Sequence, residues 1–185
     1  MRIHWLGLFA AATVTLASGA ARADLILDND RGGLTFGGSL GLGHIECEGE
    51  GCDGVNGASG LELHVGTLLG PRLGVIADLW GMRHTEDNAS FSQGMLTAAI
   101  RFWPVKRLWL QGGVGVARAS WRYDSDVASF ETRTDTVPAV MAGVGVELVS
   151  TRDLAVDFSF RVGSGAYDND TKIRNASFAL GVNWY

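Results

Sequence analysis

Charged residues set between apolar ones are the first candidates for chemistry in this sequence. In the run Leu61 to Val65, for example, Glu62 and His64 alternate with aliphatic residues, so in a β-strand the two kinds of side chain would point to opposite faces. Charges confined on an inner face would pair as a salt-bridge plug or line a narrow ion path, since an unpaired buried charge is costly. The candidates for this internal network are Glu62, His64, Asp78, Arg101, Glu147, Asp157 and Arg161.

One histidine has neighbours suited to acid–base chemistry. His84 is followed by Glu86 and Asp87 and then by Ser90 and Ser92, and a histidine, a carboxylate and a hydroxyl are the groups of nucleophilic catalysis. Such residues also occur together in ordinary polar loops. We therefore expect no catalytic residues and no enzyme activity.

The first residues indicate export. A positive start at Arg2, an apolar stretch over residues 6–21 and the small-residue site Ala21-Arg22-Ala23 are typical of a cleaved signal peptide. We assign residues 1–23 to this signal peptide and 24–185 to one domain. Its loss removes two arginines from a chain whose formal charge is already −5, which argues against nucleic acid as a partner.

The two cysteines, Cys47 and Cys52, lie in the acidic segment ECEGEGCD. In an exported protein an even pair at short spacing predicts a disulfide, which would stiffen a loop. No histidine or second cysteine pair stands at zinc-type spacing, so we expect no metal and no cofactor. The acidic loops could hold Ca²⁺ or Mg²⁺ but match no ordered calcium motif, so we expect them to be solvated.

The elements that position these residues are β-strands. Within residues 137–162, apolar branched side chains occupy every second position on both sides of a four-residue polar break at 150–153, which predicts a β-hairpin. Eight segments of this kind follow the signal peptide, at residues 34–42, 61–66, 73–82, 95–102, 108–117, 139–148, 154–162 and 177–184. No sequence is left to form a layer that could cover their apolar faces, so we expect those faces to meet lipid.

Connection lengths and aromatic positions favour a transmembrane barrel. Short turns around Pro71, Pro104 and Thr151 alternate with longer polar connections, centred on Gly51, Asp87, Ser129 and Asn169. Aromatic residues near both ends predict two interfacial girdles, formed by Trp103, Trp109, Trp184 and Tyr185 on the turn side and Trp121, Tyr123 and Tyr167 on the loop side. Since lipid cannot hydrate open sheet edges, we predict a closed eight-stranded antiparallel up-and-down β-barrel.

The stretch RFWPVKRLWLQGGVGVA, the glycine-spaced strands and the final strand FALGVNWY resemble the small outer-membrane barrels related to the OmpA membrane domain and OmpX. The resemblance implies an outer-membrane location with the loops outside. It also implies recognition of the aromatic-ended last strand by the barrel-assembly machinery, and contact with outer-membrane lipids and lipopolysaccharide.

Three functions are compatible with this reading. We expect a non-catalytic anchor that holds loops for envelope integrity or surface interaction. The alternatives are a narrow pore lined by the inward charges and a lipid A-modifying enzyme. The sequence names neither a surface partner nor an oligomeric state.

Overall fold

The chain folds almost entirely into β-strands. The structure is a computed structural model that describes residues 32–48, 55–124, 129–167 and 171–185, so the predicted signal peptide and Cys52 lie outside the described residues. Its nine strands are β1 (Gly33–Glu48), β2 (Val55–Gly70), β3 (Leu73–Glu86), β4 (Ala89–Val105), β5 (Leu108–Asp124), β6 (Ser129–Arg133), β7 (Val137–Ser150), β8 (Leu154–Ala166) and β9 (Lys172–Trp184).

Eight of these strands close into a barrel. Each pairs antiparallel with its neighbours along the chain, and β9 returns to pair with β1 from Phe36↔Trp184 to Glu48↔Lys172. Closure leaves no sheet edge within the wall, as lipid requires. The predicted eight-stranded antiparallel barrel is confirmed. Among the described residues no helix is long and apolar enough to cross a membrane.

The wall has an apolar outer face, as the period-two alternation predicts. Leu40 and Leu180 are 69% and 58% exposed, whereas Asp78 is fully buried. The segment at 73–82, apolar on both faces, has its carboxylate inside as expected, with Leu79 turned outward. In β7 a bulge after Glu147 lets Leu148 and Val149 both face outward.

The barrel has a turn end and a loop end. At the turn end, short connections join β2 to β3, β4 to β5 and β7 to β8, and in the last of these the Thr151 hydroxyl accepts a hydrogen bond from the Leu154 amide at 3.1 Å. At the loop end the sequence-based expectation is wrong for one connection. The connection around Asp87, which was expected to be long, is a two-residue turn, because β3 extends to Glu86 and β4 begins at Ala89. Asp87 takes up the turn with a φ of 48°.

A ninth strand, β6, extends the wall beyond the barrel and was not predicted. It pairs with the end of β5 from Ser120↔Arg133 to Asp124↔Ser129, while β7 pairs with the lower part of β5 up to Ala117↔Val137. Val137 lies four positions after Arg133, whereas their partners on β5, Ser120 and Ala117, are three positions apart. Strands β6 and β7 are therefore one continuous edge interrupted by a β-bulge. The tops of β3, β4 and β5, together with β6, form what we call the loop-end sheet.

Candidate functional site: the barrel interior and its loop end

The residues expected to form the internal network are gathered inside the barrel. All seven candidates for the internal network are buried, each no more than 6% exposed. They come from β2, β3, β4, β7 and β8, whose inward positions bring their side chains together across the lumen. An eight-stranded barrel has an interior just wide enough for side chains.

Arg161 is the centre of this interior network. Its Nη1 donates to Asp78 Oδ2 at 2.7 Å, and its Nη2 lies 3.0 Å from Glu62 Oε1. The same Glu62 oxygen lies 2.6 Å from His64 Nδ1. One guanidinium thus bridges two carboxylates on neighbouring strands, the arrangement that offsets the cost of burying them.

Amide side chains join this group to the second arginine. Gln111 donates to Asp78 Oδ2 and accepts from Arg101 Nε, both at 2.8 Å. Arg101 Nη1 also donates to Asn183 Oδ1 at 2.9 Å, and Asn183 donates to Asp157 Oδ2 at 3.0 Å. The hydrogen bonds therefore run without interruption from β2 to β9.

Two tryptophans expected in the turn-side girdle lie inside the barrel instead. Trp103 is 5% exposed and Trp109 is 0% exposed. Their indole N–H groups donate to carboxylates, from Trp103 to Glu147 Oε1 at 2.9 Å and from Trp109 to Asp157 Oδ2 at 2.8 Å. The girdle assignment is wrong for both because these donors are needed by buried acids.

The sequence contained a signal for this placement. Trp103 stands two residues after Arg101, and Trp109 two residues before Gln111, so strand alternation puts them on the same inner face. The Arg101 guanidinium lies 4.6 Å from the centre of the Trp109 ring, a cation–π contact. The ring also covers Gly145 so closely that a Cβ there would overlap the indole.

The other predicted girdle residues divide between the two faces. Trp184 is on the lipid side, 43% exposed, and stacks on Phe36 with ring centroids 5.4 Å apart. Tyr185 instead donates to the interior Glu147 Oε1 at 3.0 Å, and Tyr167 accepts from Gln93 Nε2 at 2.8 Å in the barrel mouth. The girdle assignment is therefore wrong for Tyr185 and Tyr167 as well.

Apolar side chains fill the loop-end half of the interior. Among them, Trp80, Met82 and Met95 are each no more than 2% exposed and pack with Ile45 and Ile173. The lumen thus has two tiers, a hydrogen-bonded polar tier near the turn end and an apolar tier above it. This is a filled core rather than an open channel.

Above the apolar tier, the loop-end sheet carries aromatic residues on the face that continues the lumen side. The register places Phe91 opposite Trp121, and Tyr123 opposite Phe130. Trp121, Tyr123 and Phe130 are 51%, 48% and 66% exposed. Trp121 and Tyr123 therefore do not form a lipid-facing girdle, because they lie above the wall and on its inner side. Below them is a cavity of about 470 Å³ that also contacts Cys47 and Tyr167.

The opposite face of the loop-end sheet is charged. Glu131 of β6 accepts from Arg122 Nη2 at 2.9 Å and from Arg133 Nε at 2.8 Å. These hydrogen bonds, led by that from Arg122, hold the pKa of the Glu131 carboxyl below its usual value. In the mouth, burial raises the pKa of the Tyr167 hydroxyl above its usual value.

The groups considered for catalysis do not assemble. His84 lies opposite Phe91 on the inner face, while Ser90 and Ser92 occupy the outward positions of β4. The nearest carboxylate is Glu86, with Oε2 3.7 Å from His84 Nε2. Within the described ranges no three His, Cys, Asp or Glu side chains are grouped to hold a metal ion. Cys47 lies at the end of β1, and because Cys52 falls outside those ranges, the disulfide stays a prediction.

Comparison with known families gives one match over nearly the whole chain. The model of the outer membrane protein beta-barrel domain matches residues 8–185. No match was found among curated protein sequences.

Solved structures share the fold at low sequence identity. The attachment invasion locus protein Ail of Yersinia pestis superposes with a TM-score of 0.63 at 18% identity, covering 83% of this chain and 99% of Ail. Neisserial surface protein A gives 0.61 at 13% identity, covering 82% and 96% of the two chains. The N-terminal barrel domain of Pseudomonas aeruginosa OprF gives 0.51 at 14%, covering 83% and 98%.

Proposed function

Because this chain belongs to the outer membrane protein beta-barrel domain family and is an outer-membrane protein, we propose that it is a non-catalytic anchor that presents its loop-end sheet outside the cell. In this family type, short turns face the periplasm and longer connections face outward. The observation that carries the proposal is the contrast between a filled lumen and an exposed aromatic sheet above it.

The filled lumen supports an anchoring role over a pore. Arg161, Asp78 and Arg101 cross the polar tier, and Trp80 and Met95 occupy the apolar tier. Ions would have to break charge-assisted hydrogen bonds and then pass the apolar tier. We therefore expect no discrete conductance in planar lipid bilayers, and regular single-channel steps would contradict this part of the proposal.

The loop-end geometry likewise favours a binding role over lipid A modification. A hydrolase of that kind needs a base within hydrogen-bond reach of its nucleophile. Here His84 and the nearby serines lie on opposite faces of the sheet. Lipid A with an unchanged mass spectrum in cells with and without this protein is the expected result.

The exposed aromatic face supports surface interaction. Trp121, Tyr123 and Phe130 lie together on one side of the loop-end sheet. Exposed apolar patches mark interaction sites, and tryptophan and tyrosine are enriched at the centres of binding interfaces. The barrel fixes the orientation of this face relative to the membrane.

The last strand, β9, pairs on both sides with β1 and β8. We propose that the barrel-assembly machinery recognises the aromatic end of this strand.

The proposal is tested with cells that display the chain. Adhesion is measured to wells coated with collagen, with serum proteins or with cells of the same strain, for the wild type and for W121S/Y123S/F130S. We expect the wild type to adhere to at least one surface and the variant to lose that adhesion, because the aromatic face is gone.

The matched control changes the opposite face of the same sheet at three hydroxyl residues, as S90A/S92A/S120A. It should retain adhesion, and heat-modifiable gel migration should show that all three proteins fold. Equal adhesion of wild type, W121S/Y123S/F130S and cells without the protein would contradict the surface role.

A further inference from the structure

The lipid-facing wall contains a notch made by two glycines. Gly81 of β3 and Gly94 of β4 are direct cross-strand partners at outward positions. A Cβ placed on Gly81 would meet only the Gln93 carbonyl, at 3.9 Å, and one placed on Gly94 would meet nothing within 4 Å. Among the described residues no side chain comes within 4 Å of either Cβ position, so the wall is indented there.

Large aliphatic side chains border the notch at the side and toward the turn end. Leu61 pairs with Gly81 in the same row. The row nearer the turn end holds Leu63, Leu79 and Leu96 in register, and all four leucines are about half exposed. Several of these residues and both glycines line a cavity of about 480 Å³ on the outer wall, with the size and apolar lining of a ligand site.

Cationic and hydroxyl groups border the notch on its other sides. Arg118 is the partner of Gly94 on β5. The row toward the loop end reads Ser59, Arg83, Ser92 and Ser120 across four strands. Neither this row nor the row of Leu61, Gly81, Gly94 and Arg118 contains a carboxylate.

Both arginines keep donors for a ligand. Within the part of the chain that the structure describes, Arg118 uses Nε on the Thr134 carbonyl at 3.0 Å, and Arg83 makes one long side-chain contact of 3.4 Å from Nη2 to Ser90. Ser92 and Ser120 hydroxyls lie 2.9 Å apart between them. Two guanidinium groups beside hydroxyls, with no carboxylate in these two rows of described residues, form a receptor for phosphate oxygens.

We propose that this notch binds a phosphorylated, acylated glycolipid of the outer leaflet, with an acyl chain over Gly81 and Gly94 and a phosphate on Arg83 and Arg118. The position of the notch along the barrel axis supports this ligand, because the notch lies between the exposed leucines on the turn side and the arginine and serine row on the loop side. This inference rests on the proposed orientation, with the loop end outside the cell. The charge complementarity selects a phosphate-bearing lipid over a neutral one.

The test uses the folded barrel in detergent and bis-phosphorylated lipid A as the probe, with retention measured by native mass spectrometry. G81L/G94L fills the notch, and R83Q/R118Q removes both cations. We expect each double variant to weaken retention by about tenfold or more, the effect of losing one or two charge-assisted hydrogen bonds or the acyl contact.

Matched controls separate the notch from general effects. G112L adds a leucine at another outward glycine with nothing within 4 Å, and R174Q removes an outward loop-end arginine on β9 that pairs with Glu48 at 2.7 Å. Both controls should retain lipid A like the wild type. Dephosphorylated lipid A and inorganic phosphate should each bind weakly, since each lacks half of the ligand.

Three outcomes would overturn the inference. One is unchanged retention in both double variants, and another is equal retention of dephosphorylated lipid. The third is a change of oligomeric state in G81L/G94L without loss of lipid, which would assign the notch to a second copy of the chain. Protease cleavage of the β5–β6 hairpin in intact cells checks the orientation separately: resistance there refutes the proposed orientation, whereas cleavage with unchanged retention refutes only the notch.

Discussion

Replacing Arg161 with methionine is expected to destabilise the barrel strongly. The guanidinium bridges Asp78 at 2.7 Å and Glu62 at 3.0 Å, and all three side chains are almost fully buried. Removing one partner of a buried ion pair typically costs about 3–5 kcal/mol, because a charge is left uncompensated. Here two carboxylates lose the same cation, so we expect a loss at the upper part of that range.

The matched control is Arg174→Met on the outer surface. Arg174 makes an equally short ion pair, 2.7 Å to Glu48, but both side chains are about half exposed. Exposed pairs contribute about 0–1 kcal/mol, so this variant should unfold almost like the wild type. The two arginines make equally short ion pairs, and they differ in burial and in the number of carboxylates that they contact.

Urea unfolding of the refolded barrel in lipid vesicles, followed by tryptophan fluorescence and heat-modifiable gel migration, measures both losses. The triple variant E62Q/D78N/R161M also removes the two carboxylates that R161M leaves without a cation. It should therefore recover most of the stability lost in R161M. If R161M cost no more than R174M, or if the triple variant were no more stable than R161M, the account of the interior network would be refuted.

Three further predictions concern single residues. Gly145→Val should cost about 1–3 kcal/mol by overpacking against the Trp109 ring, measured by urea unfolding, whereas Gly112→Val should be tolerated by its open surroundings; equal costs would contradict the packing. Trp109→Phe keeps one aromatic ring but removes the indole N–H donor to Asp157 and leaves the volume of the five-membered ring unfilled. A loss of at least about 1–3 kcal/mol is expected by the same assay, and a neutral effect would count against the hydrogen bond. Since the folded-state pKa of Glu131 is lowered, its stabilisation of the β5–β6 hairpin is present above the ordinary glutamate value of about 4.3 and is lost as the pH falls through the lower folded-state value. The protection factors of the hairpin amides, which are corrected for the intrinsic pH dependence of exchange, should therefore fall on acidification in the wild type. A fall of the same size in E131Q would contradict this assignment.

The barrel wall was predictable because it has one apolar face. Val144, Phe158 and Leu180 follow the alternation that hydrocarbon on one side imposes, and each is exposed in the structure. The inward position of Asp78 followed from the cost of a charge in lipid. The pairing of Arg161 with both Glu62 and Asp78 did not follow, because it depends on the stagger of strands around the closed barrel.

The loop end was the least predictable part of the fold. Above the membrane both faces of a strand meet water, so β3, β4 and β5 lose their alternation and their ends resembled loops. The girdle assignment failed for Trp103 and Trp109 for a different reason. Trp103 and Trp109 were judged by their nearness to the strand ends, whereas their face, fixed by their spacing from Arg101 and Gln111, placed them inside.

The most direct test of this account determines which solvent, hydrocarbon or water, surrounds the barrel wall. In a chain with Cys47 and Cys52 replaced by serine, an environment-sensitive fluorophore is attached to single cysteines introduced at Val144, Phe158 or Leu180, and at Phe130 for comparison. We predict quenching by lipids with brominated acyl chains and protection from aqueous iodide at the three wall positions, with the reverse at Phe130. Iodide quenching at the wall positions, without quenching by the brominated lipids, would contradict an outer face that meets hydrocarbon.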